Sequence, residues 1–475
     1  MSISSEEFAG LTFDSFGQGR SQLNVLRPAY AETFRCIGSA CEDICCGNWT
    51  IPVDRETYEK YQCLPASPLR TLIVESIEVF PPGTPAVGPG AGGGATTANF
   101  AKIRLNDSHR CPILSEAGLC RIHAELGVDY LSPDCATYPR VPCRTGDIEE
   151  HALTLSCPEA ARLVLLNPDL LAIVSEDSER ESVRWLMSGS KEGGATGQHA
   201  WFWRIRKSIL KVIRNRSYPL WQRLFLLGIL CKRLDSIRKG EMGCSIPDFL
   251  RDFDSAVIAG SLRNAMGTLP VDHERQLDLV LSLSGLLLNR SLVSPRFADC
   301  VHAFTTGIGN SPEATLATLT DRYEEAHKKY YLPFFSRYPH MLENYLVNTI
   351  IRCQFPFGRE AMRRERETGS AQWEAPTMTH EFVVLVAQCA LMKGLLIGVA
   401  GFHRERFGPV HVVYTVQTAS RHFEHHPEFL RMAYTLLVEN HMDTTRGLTI
   451  LIRNGLPAPG HDMQSVALQM LLESL

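Results

Sequence analysis

Apolar positions recur at helical spacing through most of the second half of the chain. Leu277, Val280, Leu281, Ser284 and Leu288 share one helical face, and similar periodicity covers roughly 200–237, 340–353, 380–403 and 428–440. Ser311-Pro312-Glu313 reads as a helix start, with Ser as cap and Pro at the first position. No β-branched strands alternate with these helices and no repeat of fixed period is visible, so 198–475 is predicted to be an α-helical domain. One segment within it, Val383–Phe402, approaches membrane-spanning length. Gln388 and Lys393 interrupt its middle, and a central Lys costs about 3 kcal/mol in a bilayer. The pattern therefore predicts a buried helix and no membrane insertion.

The first half follows a different pattern, with short, weakly periodic pieces. Asp54 is placed to cap a helix running toward Tyr61, and Cys157-Pro158-Glu159 opens one through Leu166. Between them, 81–98 is rich in Pro and Gly with almost nothing apolar to bury, which predicts a flexible insertion. Its glycines do not make a phosphate loop, because no strand precedes them and no Lys-Ser/Thr pair follows. The chain then divides into a leading segment 1–30, a cysteine-rich module 31–166, a helix and polar linker 167–197, and the helical domain 198–475. The predicted fold class is mainly α: a loop-rich, metal-binding N-terminal module plus a larger helical C-terminal domain.

Composition adds exclusions. A formal charge of −4 over 475 residues gives no global basic field, so nucleic acid is not an expected partner. Met1–Gly10 is polar and acidic, without the charged and apolar regions of a secretion signal, which points to the cytoplasm. In that reducing compartment clustered cysteines read as metal ligands rather than disulfides.

Ten of the fifteen cysteines fall between Cys36 and Cys157. Cys36, Cys41, Cys45 and Cys46 form C-x4-C-x3-C-C; Cys111 and Cys120 follow, then Cys135 and Cys157. Thiolates repel one another unless a soft or borderline cation joins them, so this density points to zinc or iron–sulfur. Eight thiols suffice for two four-thiolate sites, or for one cluster with cysteines to spare. Cys63 and Cys143 lie outside the tight patterns and read as packing residues.

These segments resemble the flagellin lysine-N-methylase family. The resemblance is carried by F-R-C-I-G-S-A-C-E-D-I-C-C-G-N-W-T-I-P-V-D, C-P-I-L-S-E-A-G-L-C-R-I-H-A-E-L-G, Y-L-S-P-D-C-A-T-Y-P-R and L-T-L-S-C-P-E-A-A-R-L. It extends to Y-P-H-M-L-E-N-Y-L-V-N-T-I-I-R-C-Q-F-P-F-G at Tyr338–Gly358. It implies S-adenosylmethionine as methyl donor, flagellin as protein substrate, and a 4Fe-4S cluster (alternatively zinc). The ligands would come from Cys36, Cys41, Cys45, Cys46, Cys111, Cys120, Cys135 and Cys157. The chain lacks a Gly-rich nucleotide fingerprint after a strand. It also lacks C-x3-C-x2-C: Cys41 and Cys45 supply the first interval, and Cys46 arrives too soon.

Lysine methylation needs a neutral amine, and aromatic faces can hold the cations on either side of the reaction. Trp49 and Tyr138 stand beside cysteines and are candidates for that work or for apolar cover. Glu343, Asn344, Tyr345 and Asn348 put polarity into one helix, with Asn344 and Asn348 on one face, as a pocket wall or a solvated surface. Tyr138, Glu343 and Asn344 are thus the candidates for catalysis, and Trp49 and Asn348 for the donor. His123 reads as a surface histidine. The competing readings are a zinc-stapled protein-binding module and a metal chelator.

Overall fold

The computed structural model describes residues 24–26, 28–81, 100–145, 148–170, 201–267, 269–288, 293–358, 377–425 and 427–454. The insertion expected at 81–98, Pro81 apart, and the linker at 188–197 lie outside them. Within them the chain is mainly α, as its periodicity predicts.

The helix Met378–His403 is the axis of the helical body. Thr377 starts it by accepting a hydrogen bond from the His380 amide, and 26 residues follow. Its apolar residues face all round because helices Leu220–Arg238, Pro295–Gly307 and Pro409–Glu424 pack against it. Backbones touch where glycines meet: a Cβ on Gly307 would lie 1.8 Å from the Gly398 carbonyl oxygen. This is the one helix among the described residues long and apolar enough to cross a bilayer, and 89% of its apolar window is buried in protein. Lys393 donates to the Ile452 carbonyl at 2.6 Å, capping the end of helix Thr445–Ile452.

Other predicted elements are adjusted. The 200–237 stretch is two helices, Phe202–Arg214 and Leu220–Arg238, parted before Pro219. In helix His273–Leu288 the buried face includes Leu277, Val280, Leu283, Ser284 and Leu287, whereas Leu288, at the end, is exposed. The helix start expected at Ser311 is displaced. Pro312 and Glu313 form a turn, and Thr315 caps helix Leu316–Ala326 instead, accepting from the Thr318 amide. Asp54 caps Arg55–Gln62 through Thr57, and Pro158 opens Pro158–Leu165, both as expected.

The cysteine-rich region, with one strand from the leading segment, holds two small sheets that its pattern does not announce. Strands β1 (Asn24–Leu26), β5 (Arg140–Thr145) and β6 (Ile148–Leu153) pair in the order β1-β6-β5, with β1 parallel and β5 antiparallel to β6. Strands β2 (Ile51–Val53), β3 (Ile77–Val79) and β4 (Ala101–Ile103) form an antiparallel β2-β4-β3 sheet. Three-residue strands are too short to show alternation, and β5 and β6 carry Pro142, Glu149, Glu150 and His151 where apolar residues would signal a strand.

Two apolar cores result. A small one gathers Trp49, Ile51, Tyr61, Ile73, Ile103 and Ile122. The large one runs from Tyr30 and Phe34 through Leu153 and Val164 to Ile452, so β6 and helix Pro158–Leu165 pack with the helical body. Asn348 fastens that joint. Its amide donates to the Leu153 carbonyl at 2.8 Å and accepts from the Leu153 amide at 3.2 Å and the Tyr30 hydroxyl at 3.1 Å. Asn348 is completely buried. Asn348→Ala would strand three polar groups, so a loss of about 2–4 kcal/mol is expected from urea unfolding. A loss under about 1 kcal/mol would show that the joint does not depend on them.

Candidate functional site

Four chain segments bring sulfur to one place. Cys36 and Cys41 flank the single turn Gly38–Ala40; Cys45 and Cys46 follow before β2; Cys120 caps helix Arg121–Leu126; Cys135 lies in helix Pro133–Thr137; Cys157 caps Pro158–Leu165. These seven cysteines line a single cavity of about 210 Å³, with Trp49, Tyr138 and His123 also in its wall. Cys111, the eighth, is buried in the small core behind it. His123 therefore faces the cavity rather than open surface. Cys63 is exposed, and Cys143 is buried against the Arg352 carbonyl at 3.4 Å.

All these cysteines are free thiols. Cys45 and Cys46 approach to 3.6 Å between sulfurs, and Cys46 also shares a hydrogen bond with Cys135. That sharing keeps the proton on Cys46, and burial adds to it. The same contact, with Arg421 nearby, lowers Cys45 to about 7. Burial pushes Cys120 up to about 11 and Cys111 and Cys157 to about 12. Buried neutral thiols of this kind give up their protons when a cation arrives. The donor set thus has the chemistry of a thiophilic centre. Its spacing is looser: among the described residues, no three His, Cys, Asp or Glu side chains converge as an ion's ligand set.

The helical body holds the cysteine loop. Asp43 Oδ2 accepts from Gln417 Nε2 at 2.9 Å and Arg421 Nη1 at 3.0 Å, with Arg296 Nε at 3.8 Å. Arg421 also donates to the Gly47 carbonyl at 2.6 Å, and Gln417 to the Ser156 carbonyl at 2.9 Å. On the next turn His425 stacks on Trp49. Gln417, Arg421 and His425 recur every four residues, a buried polar stripe along the last turns of the helix. That stripe is legible in the sequence; its partner Asp43 is not.

Trp49 and Tyr138 are brought to the cavity; Glu343, Asn344 and Asn348 are not among its lining residues. Neither are the last three a solvated face, since all are at most 3% exposed. Glu343 takes two bonds from Arg216, at 2.9 and 3.0 Å, and one from Arg223 at 2.7 Å. Asn344 donates to the Val164 and Asn167 carbonyls. Tyr345 is buried beside them. Polarity in this helix joins elements together, because a polar group removed from water must find a partner.

Comparisons with known proteins bear on the family of the chain. The model of the FliB lysine N-methylase C-terminal domain matches residues 206–451. A flagellar biosynthetic protein FliU of Salmonella muenchen is 30% identical over 158 residues, which is 33% of this chain and 86% of that protein. Lysine-N-methylases of Salmonella typhimurium and Salmonella choleraesuis are each 30% identical over 153 residues, 32% of this chain. Those matches span only 35% of either methylase. No solved structure matches. With more than half its length fitted by the family's own domain, the chain belongs to the FliB lysine N-methylase family.

Proposed function

We propose that the chain is a protein-lysine N-methyltransferase that takes its methyl group from S-adenosylmethionine and acts on flagellin lysines in the cytoplasm. The observation that carries this reading is the convergence of seven cysteines and two aromatic rings on one cavity in a member of this family. The relatives' names, lysine-N-methylase and flagellar biosynthetic protein, support the reaction and the flagellar substrate.

The reaction sets its own requirements. A lysine ammonium first loses a proton, since only the free amine has a lone pair. The amine nitrogen then attacks the donor's methyl carbon, the carbon–sulfur bond breaks, and the sulfur leaves as a neutral thioether while the lysine nitrogen takes the positive charge. An aromatic-lined cavity suits this step because it receives one cation in exchange for another.

We assign a 4Fe-4S cluster, alternatively zinc, to the same thiols. Cys46 has both Cys45 and Cys135 for neighbours, Cys120 lies near Cys135 and Cys45, and Cys157 lies near Cys41 and Cys36, all in the wall of one cavity. When bound, the cluster would cross-link these loops and contribute folding energy to a region with little regular structure.

Incubation of anaerobically purified protein with S-adenosylmethionine and unmodified flagellin is expected to add methyl increments to lysines by mass spectrometry. Cys45→Ser, Cys46→Ser and Cys135→Ser are expected to lower bound metal and abolish transfer. Visible absorption with iron distinguishes the cluster from colourless zinc. A fully metallated protein that binds flagellin but modifies no lysine would make this a zinc-stapled binding module instead.

A further inference from the structure

His425 comes from the end of helix Pro409–Glu424 and stands behind the cavity wall. Its ring stacks on Trp49 with centroids 5.1 Å apart and planes at 19°, and lies 6.5 Å from Tyr138 at 32°. His425 Nε2 meets Ser156 Oγ at 2.8 Å. The same Oγ meets Tyr138 Oη at 3.1 Å and Thr154 Oγ1 at 2.9 Å, and Thr154 donates to Glu424.

Counting protons gives this network a direction. A hydroxyl has one proton to donate. Thr154 spends its proton on Glu424, so Ser156 donates to Thr154. Ser156 must then accept from both Tyr138 O–H and His425 Nε2–H. The Tyr138 hydroxyl is thereby committed inward to a fully buried serine, and what Tyr138 offers the cavity is its ring. Trp49 is fixed in the same way, its Nε1 donating to the Cys45 carbonyl at 2.9 Å. The neighbouring cations are committed elsewhere. Arg421 pairs with Asp43, and Arg35 and Arg140 donate to the Phe34 carbonyl.

We propose that Trp49 and Tyr138, held in place by His425, form an aromatic wall that binds an onium cation, a sulfonium or an alkylated ammonium, in the cysteine-lined cavity. The proposal rests on the methyl-transfer reading and names the chemical class that the cavity takes. The ring faces carry negative quadrupole charge, so they select for positive charge spread over methyl groups. His425 touches neither donor nor substrate; it is a positioning residue.

The test uses full-length protein and simple probes. Ligand-observed NMR should show saturable binding of trimethylsulfonium and tetramethylammonium chlorides, but not of tert-butanol, which has similar bulk and no charge. Trp49→Leu and Tyr138→Leu should each weaken binding roughly 2- to 30-fold. Tyr138→Phe, which keeps the ring, should bind nearly as wild type. His425→Ala should weaken binding without contacting the probe, and His425→Phe, which keeps the stack, should recover part of it. Equal binding of tert-butanol, or unaltered onium binding in Trp49→Leu, would overturn the wall; should the leucine variants not fold, the tert-butanol comparison on wild type decides alone. Onium binding by a wild type that transfers no methyl would overturn the methyl-transfer reading and leave the wall standing. Transfer by Trp49→Leu with unchanged KM for donor and substrate would do the reverse.

Discussion

Glu150→Ala is expected to destabilise the folded chain by about 3–5 kcal/mol, among the largest single effects available. Glu150 lies on β6 and Arg206 on helix Phe202–Arg214, and both are at most 2% exposed. Arg206 Nη1 reaches Glu150 Oε2 at 2.8 Å, Nη2 reaches the Phe355 carbonyl at 3.3 Å, and the guanidinium sits 4.8 Å from the Phe202 ring centroid. Once the carboxylate is gone, a cation remains in the core with one carbonyl for company. Attraction within such a pair scarcely exceeds the cost of drying both charges, so the double variant Glu150→Leu/Arg206→Met should recover most of the loss. Urea midpoints for the three variants check both statements. A single variant within about 1 kcal/mol of wild type would show that water reaches Arg206.

Arg421→Met is expected to act on the site rather than on the fold. It removes the bonds to Asp43 and Gly47 at either end of the Cys45–Cys46 step while keeping most of the side chain's apolar volume. Gln417 still holds Asp43, so the loop should loosen rather than leave. A misplacement of about 1 Å at a reacting centre costs on the order of a hundredfold in rate, and a loss of that size in methyl transfer is expected. Metal content should fall with it, while the urea midpoint of the helical body stays close to wild type. Full activity and full metal in Arg421→Met would mean that the cysteine loop holds its own shape.

The convergence of the cysteines was readable because thiols at that density have little other reason to gather. The helices were readable wherever apolar positions were sustained for ten residues or more, on one face as in His273–Leu288 or all round as in Met378–His403. Ser311 failed as a cap because Pro312 and Glu313 fit a turn equally well, and Thr315 stood four residues further on with the same side-chain chemistry. Glu343, Asn344 and Asn348 read as a pocket or a wet surface because a single helix cannot show what packs on it. Their partners, Arg216, Arg223, Val164 and Leu153, come from other elements. Asp43 was hidden for the same reason. It is one acidic residue in a loop, and its meaning lies in Gln417 and Arg421 far along the chain.

The distance between those partners bears on how the protein is made. Asp43 and Arg421 are separated by 378 residues. At roughly 5–20 residues per second, a ribosome would release the cysteine loop roughly 20–75 s before the helix that clamps it. During that interval the thiols from Cys36 to Cys157 would emerge one after another and wait without their clamp, open to stray metal and to oxidants. The cavity would then take its final shape late in biosynthesis, only after the last helices have docked. Stalling or truncation upstream of Arg421 would leave a nascent chain whose cysteine loop never meets its clamp.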